Sequence, residues 1–286
     1  MELAVHVRNL DGLARAGDLP HGWATGEGGL GGVSRVYVGD EFCFHRLPNL
    51  AAFKALLRAA DAHGYGLTLL TPVLTDPQMA RAAPLFAHLG ARRPDTEVVF
   101  NDWGVMTLLR EEFGLKNLSA GRVLNKGFKD PRLGDAASIA AISPEARELL
   151  NSGTFHDAGF QRRMQALQVR RLEYDLPPYA DDSGIACGAL PTAVYFPFGC
   201  VTSGRVCWMA GFGRPLREKF VPAKVCARPC STVVLKLASP GFELPVFQNG
   251  NTVFYRYDNA RLSRLFAQAR SQGLRLVYQG EAMGIP

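Results

Sequence analysis

The chain lacks any apolar run approaching the roughly 18 residues that a bilayer-spanning helix needs. Its first residues place an acid at Glu2 with no long apolar stretch behind it, so neither a membrane span nor a secretory leader is predicted. A cytoplasmic location is the expectation. Cysteine is scarce, six in 286 residues. That is too few for a disulfide scaffold, so thiols free to bind metal are expected instead. No Gly-x-Ser-x-Gly elbow is present, which argues against a serine hydrolase of that type, and no nucleophile–base pair or zinc-protease motif supports a peptidase. The Gly-rich stretch Gly26–Gly32 has no Gly-Lys-Ser/Thr leading into a helix, so it reads as a connection and not as a phosphate loop. His21, His63, His88 and His156 show no metal-ligand spacing. Internal repeats and low-complexity tracts are missing too. The net charge of +6 and the pI near 9.1 are spread along the chain without a Lys/Arg-rich tail, a weak sign of nucleic-acid binding.

What the chain does have is 47% hydrophobic residues arranged in short runs separated by amphipathic segments. Strands are predicted at Leu3–Val7, Val36–Val38, Leu67–Leu70, Glu97–Phe100, Ser119–Leu124, Val169–Tyr174, Ala193–Phe196 and Leu274–Tyr278. Helices are predicted between most of them. Asn49 caps one in which Leu50, Phe53, Leu57 and Ala60 share a face, and Asp76-Pro77 opens the next. Alternation of this kind calls for parallel strands joined by helical crossovers. The predicted fold is α/β, a TIM-like (β/α) barrel, with an incomplete or irregular barrel as the variant left open, forming a single domain over 1–286. A cysteine-rich insertion is expected at about 180–231, after the loop marked by Pro177, Pro178, Asp181, Asp182 and Gly184, with further strands at Val233–Leu237, Leu244–Phe247 and Val253–Tyr257.

Cys200, Cys207, Cys226 and Cys230 are spaced Cys-x6-Cys-x18-Cys-x3-Cys, and Cys43 follows an early strand. Zinc ribbons and fingers usually present two close pairs. Here Cys226 and Cys230 form the only close pair, a layout better suited to a cuboidal iron–sulfur cluster. Zinc and unrelated buried cysteines remain alternatives, and Cys187 reads as a plain core residue. Arg205, Arg214, Arg217, Lys219, Lys224 and Arg228 lie between or beside the downstream cysteines, and cations would stabilise a thiolate-ligated four-iron cluster of net charge about −2.

In a parallel barrel, reactive side chains sit where strands end at the C-terminal mouth. Reading each strand to its end gives His6 and Arg8, then Asp40, Glu41 and Cys43, then Asn101, Asp102 and Trp103, then Arg122, Asn125 and Lys126, then Glu173. Among these, Glu41, Asp102, Arg122, Lys126 and Glu173 are the catalytic candidates, able to bind an anionic small molecule and handle protons. Each has a structural alternative. Asp102 could cap the helix starting near Gly104. His45 and Arg46, just after Cys43, could donate to cluster sulfurs, bind substrate or face solvent.

Several stretches carry a family resemblance: Val36-Tyr37-Val38-Gly39-Asp40-Glu41-Phe42-Cys43, Asn101-Asp102-Trp103-Gly104-Val105 before Leu108-Leu109-Arg110-Glu111, Gly121-Arg122-Val123-Leu124-Asn125-Lys126, Ser203-Gly204-Arg205-Val206-Cys207 and Cys226-Ala227-Arg228-Pro229-Cys230. From about residue 34 to 231 the chain resembles the collagenase-like U-thirty-two peptidase superfamily, and within it the UbiV-type anaerobic ubiquinone-biosynthesis branch. The resemblance implies a barrel-type fold, a [4Fe-4S] cluster, and a part in oxygen-independent hydroxylation of a ubiquinone precursor ring. It also implies a heterodimer with a related cluster protein of the UbiU type, an aromatic quinone precursor as substrate, and prephenate as oxygen donor. Carried over by position, the ligands are Cys43, Cys207, Cys226 and Cys230. Cys200 is an alternative fourth ligand, because Cys200 and Cys207 reproduce a Cys-x6-Cys pair used elsewhere in the superfamily. RNA base hydroxylation, a non-enzymatic cluster-bearing scaffold or sensor, and a U-thirty-two-type peptidase are the competing functions.

Overall fold

Runs such as Ala4-Val5-His6-Val7 and Val98-Val99-Phe100 are apolar at nearly every position, which suits strands covered on both faces. The computed structural model describes residues 1–19, 30–133, 140–178, 188–219, 221, 226–238 and 241–284. Gly26, His21, Asp181, Asp182, Gly184, Cys187 and Lys224 lie outside the described residues. Strands β1 (Glu2–Val7), β2 (Arg35–Gly39), β3 (Gly66–Leu70), β4 (Glu97–Phe100), β5 (Leu118–Ala120), β6 (Arg171–Tyr174) and β7 (Thr192–Phe196) form a parallel ring. The last strand, β12 (Arg275–Tyr278), closes it by pairing with both β1 and β7. The protein is an α/β TIM-like barrel, and the barrel is closed.

The helices follow their sequence signals. Helix α1 (Leu10–Ala14) is capped by Asn9, whose side chain accepts from the Gly12 amide. In α2 (Leu50–Ala62), Asn49 accepts from the Ala52 amide at 2.9 Å, and Phe53, Leu56, Leu57 and Ala60 form the buried face. Helix α3 (Asp76–Arg92) opens with a Thr75–Gln78 capping box and a proline in its first turn. Then come α4 (Trp103–Glu111), α5 (Pro144–Asn151) and α6 (Ala158–Ala166).

Strand residues sort by parity, as a pleated chain requires. Val5, Val36, Val38, Leu69, Val98, Phe100, Leu172, Val194 and Leu276 face outward into the main apolar core shared with the helices. Ala4, Tyr37, Leu70, Val99, Ala193, Tyr195 and Val277 face inward and pack against each other. At the N-terminal end the barrel interior is ionic. Arg275 contacts Glu2 at 2.6 Å and Glu97 at 2.7 Å, and Arg35 reaches Glu2 at 2.7 Å.

Between β7 and helix α7 (Asn259–Gln272) the chain leaves the barrel and builds a second, antiparallel sheet. Its strands are β8 (Phe198–Ser203), β9 (Leu235–Leu237), β10 (Val246–Asn249) and β11 (Thr252–Arg256), in the order β8-β11-β10-β9. The insertion expected at about 180–231 therefore shifts along the chain: the run at Thr192–Phe196 belongs to the barrel, and the strands outside it span Phe198 to Arg256. Strand β8 escapes the sequence reading because it starts directly after β7, across Pro197, with no turn signal between them. Among the described residues no helix is long and apolar enough to cross a membrane.

Candidate functional site

Cys43 reaches the C-terminal mouth because β2 ends in a backbone conformation reserved for glycine. Gly39 has φ +102°, and a Cβ there would lie 2.4 Å from the Leu70 carbonyl oxygen. The chain then turns around Asp40, whose Oδ1 accepts from the amides of Phe42 and Cys43, each at 2.8 Å. Cys43 precedes the short 3-10 turn Phe44–Arg46. From the second sheet, Cys230 arrives in another 3-10 turn, Pro229–Ser231, entered through Arg228 in the left-handed region at φ 55°.

Two arginines tie these segments together. Arg8 Nη1 and Arg46 Nη2 both donate to the Cys230 carbonyl at 3.2 Å, and Arg8 Nη2 donates to Asn249 Oδ1 at 3.0 Å. Arg46 also donates to Asn249 Oδ1 and pairs with Asp40 at 3.2 Å. Burial opposes ionisation of Asp40, but Arg46, the Phe42 amide, His6 and Arg8 together hold its carboxyl below the usual range. Burial and the neighbouring Arg46 pull Arg8 down to about 10. Two guanidinium groups thus converge on the Cys230 carbonyl and Asn249 Oδ1, with Arg46 alone paired to the Asp40 carboxylate, and among the described residues Arg8 Nε is buried without a hydrogen bond.

The sulfurs receive backbone amides. Ala210 N–H donates to Cys207 Sγ at 3.5 Å, Arg228 N–H donates to Cys226 Sγ at 3.3 Å, and the His45 amide bonds Cys43. Burial and Asp40 push the Cys43 thiol up to about 12 against Arg46 and that amide, with a further rise from Cys230. Cys207 is raised by burial, offset by the Ala210 amide and raised again by Cys230 and Cys226. Cys230 therefore lies within electrostatic reach of Cys43 and of Cys207, and Cys226 within reach of Cys207. Among the described residues no three His, Cys, Asp or Glu side chains gather closely enough to hold a single metal ion. A tetrahedral zinc site needs every sulfur about 2.3 Å from one centre, whereas a four-iron cluster takes each thiolate at a separate iron. Four thiols, amides on three of the sulfurs and surplus guanidinium charge fit the donor chemistry of such a cluster.

Cys200 sits elsewhere. It lies on β8, packed with Phe198, Phe254 and Met283, and its thiol is pushed up to about 12 by burial, with Lys129, Asp175, Arg122 and Glu41 as its charged neighbours.

Those neighbours form a second constellation across the barrel mouth. Arg122 donates through Nε to Glu41 at 2.8 Å, through Nη1 to Asp175 at 2.6 Å and through Nη2 to Gln279 at 3.0 Å. Its guanidinium carbon stands 3.8 Å from the centroid of the Tyr195 ring. Lys129 adds a 3.1 Å contact to Asp175. Burial favours the neutral acid at both carboxyls. Arg122 and Lys129 hold Asp175 below its ordinary value, whereas Glu41 rises to about 7 because burial and nearby Asp175 and Asp40 outweigh Arg122. Glu173 lies deeper, accepting from Tyr37 Oη at 3.1 Å, and burial with Glu97 and Glu41 nearby lifts it to about 8. Among the described residues Glu41 Oε1, Tyr195 Oη and Glu173 Oε2 find no hydrogen-bond partner.

The structure thus brings Glu41 and Arg122 together and sets Glu173 below them. Asp102 is the N-cap of α4, accepting from the Gly104 and Val105 amides. Lys126 is exposed, and its backbone bonds Thr154. Asn101 and Asn125 tie loops, through the Thr71 carbonyl and Val123 amide and through the Phe155 amide, respectively. His6 bonds the Gly39 carbonyl at 2.9 Å, and its imidazole is pulled down to about 4 by burial. Sequence reading missed Asp175, Gln279 and Lys129. Asp175 and Gln279 stand one residue beyond β6 and β12, so extending those strands by one step of the same parity would have reached both.

No known family matches the chain, and no curated protein does. Among solved structures, a family 18 N-acetylglucosaminidase from Paenibacillus barengoltzii is 8% identical over 97% of this chain and 94% of its own, with a TM-score of 0.32. A class V chitinase from Pseudomonas fluorescens Pf-5 is 11% identical over 98% of this chain and 95% of its own, with a TM-score of 0.31. Likenesses at this level carry no argument about what the chain does.

Proposed function

We propose that the chain is a [4Fe-4S] protein held by Cys43, Cys207, Cys226 and Cys230, taking part in oxygen-independent hydroxylation of a ubiquinone precursor ring. The observation that carries the cluster is the pair of guanidinium groups, Arg8 and Arg46, both donating to the Cys230 carbonyl while Arg46 alone pairs with a carboxylate, that of Asp40. Surplus buried positive charge is costly unless an anion balances it. Thiolates on a cluster of net charge about −2 would do so. Buried thiols with raised pKa values become thiolates only when a metal takes the place of the proton, and amides already aimed at sulfur stabilise that state.

When bound, the cluster supplies one-electron chemistry that side chains lack. The chain's own residues do the rest. Arg122 holds Glu41 and Asp175 across the mouth, Glu41 lies near the pKa at which a carboxyl can both give and take a proton at neutral pH, and Phe42, Tyr195 and Phe254 around Arg122 keep the site dry. The ring substrate, prephenate as oxygen donor and a UbiU-like partner follow from the resemblance to the UbiV-type branch. The reading is tested by iron and sulfide quantitation on protein made and kept without oxygen. About four irons and four sulfides per chain are expected; one zinc and no sulfide would overturn it.

One observation favours RNA base hydroxylation as a second reading. Trp208 is 68% exposed and Phe212 58%, in a segment that also carries Arg205, Arg214 and Arg217. Exposed aromatics among arginines can stack bases. Steeply salt-dependent binding of transfer or ribosomal RNA is the result that separates it from the first reading.

A further inference from the structure

A cleft of about 460 Å³ opens beside Cys226, between the turn that follows Cys43 and the exposed side of α3. Its polar wall comes from three elements: the imidazole of His45, the guanidinium of Arg81 on α3, and Arg228 on the cysteine segment. Its apolar wall is Phe44, Leu47 and Leu85, and among the described residues no carboxylate lines it. Arg81 stands 4.9 Å from the centroid of the Phe44 ring, a contact that orients the guanidinium without neutralising it. Among the described residues neither Arg81 nor Arg228 has a carboxylate within ion-pair distance, in contrast to Arg15, Arg35, Arg46, Arg93 and Arg122.

We propose that this cleft binds a small organic anion, a carboxylate or phosphate ester on an apolar ring or chain, next to Cys226. The volume falls within the range of small-molecule sites, roughly 300–1,000 Å³. Guanidinium groups from two separate elements present planar donor forks suited to either anion. Phe44, Leu47 and Leu85 cover the apolar part, and the ligand then lies against the sulfur of Cys226. Binding itself stands on the cleft alone; a role for the ligand as substrate or effector of the cluster rests on the reading above.

The test is calorimetric titration of the purified protein with benzoate, phenyl phosphate, inorganic phosphate and the neutral benzyl alcohol, with iron and sulfide measured on the same samples. Saturable binding of benzoate or phenyl phosphate is expected, weakened roughly tenfold or more in each of Arg81→Gln and Arg228→Gln. The relative strength of benzoate and phenyl phosphate tells carboxylate from phosphate ester. Arg81 and Arg228 are exposed, so unchanged thermal melting of the variants excludes unfolding as the cause of any loss. Absence of saturable binding, binding untouched by both substitutions, equal uptake of benzyl alcohol, or inorganic phosphate binding as tightly as phenyl phosphate would each overturn the inference. Iron-free protein that binds benzoate and loses it in the variants upholds the cleft while removing the cluster. Iron-loaded protein indifferent to every anion does the reverse.

Discussion

The Arg122 guanidinium and the Asp175 carboxylate meet at 2.6 Å, with neither side chain more than 2% exposed. Glu41 and Lys129 complete a buried group of alternating charge that spans the barrel mouth from the end of β2 to the end of β6. Removing one member strands the others without water. Arg122→Met is expected to destabilise the fold by about 3–5 kcal/mol, seen as a fall in melting temperature on the order of 10 °C. A thermal melt within a degree or two of the wild type would show that the mouth relaxes without this arginine.

Glu173 makes a prediction about pH. Its carboxyl is lifted to about 8 by burial and by nearby Glu97 and Glu41, so the folded state holds a proton that an unfolded chain releases near the ordinary value of 4.5. A raised acid pKa contributes stability that is complete below about 4.5 and is lost as pH rises toward 8. The slope in that window is up to about 1.4 kcal/mol per pH unit from this residue. Glu173→Gln, neutral at every pH, is expected to flatten it. Urea denaturation at several pH values from 5 to 8 checks this; equal slopes in variant and wild type would mean that the buried carboxyl is already ionised at neutral pH.

Asp102 was a catalytic candidate from its place at a strand end, and the structure gives it the work of a helix cap. Asp102→Ala is expected to cost about 1 kcal/mol of stability and Asp102→Asn much less, because an amide oxygen also caps. Chemical denaturation of both variants measures the difference. An Asn variant as unstable as the Ala variant would point to a charge requirement beyond capping.

The barrel was legible because each of its strands is a short apolar run and most of its helices carry a cap. Asn49 and Asp76-Pro77 mark helix starts at or within a residue of those observed. Glu97–Phe100 matches its expected bounds. The second sheet was only partly legible. Three of its four strands were read, but β8 hides in the apolar run that continues from Phe196 across Pro197 to Phe198. Side-chain partners were the least legible level. Arg122 and Glu41 are 81 positions apart, and Arg8 and Cys230 are 222 apart; nothing local in the sequence says which distant group will answer a buried charge. Only barrel closure brings them together.

The thiols give the prediction on which the proposed function turns. Cys43, Cys207 and Cys226 each accept a backbone amide at sulfur, and Cys230 is drawn toward them by Arg8 and Arg46 gripping its carbonyl, so losing any one sulfur should leave a cluster with an open corner. Cys200, in contrast, has Lys129, Asp175, Arg122 and Glu41 as its charged neighbours, and its amide donates to Asp175 Oδ2 at 3.2 Å. Single alanine substitutions at Cys43, Cys207, Cys226 and Cys230 are therefore expected to remove most of the iron and sulfide from protein prepared without oxygen. Cys200→Ala is expected to retain them, with a stability loss on the order of 1 kcal/mol from the small cavity it leaves. Iron lost in Cys200→Ala but kept in Cys43→Ala would instead make Cys200 and Cys207 the working pair. Arg46 would then hold the Cys230 turn in place without serving a cluster.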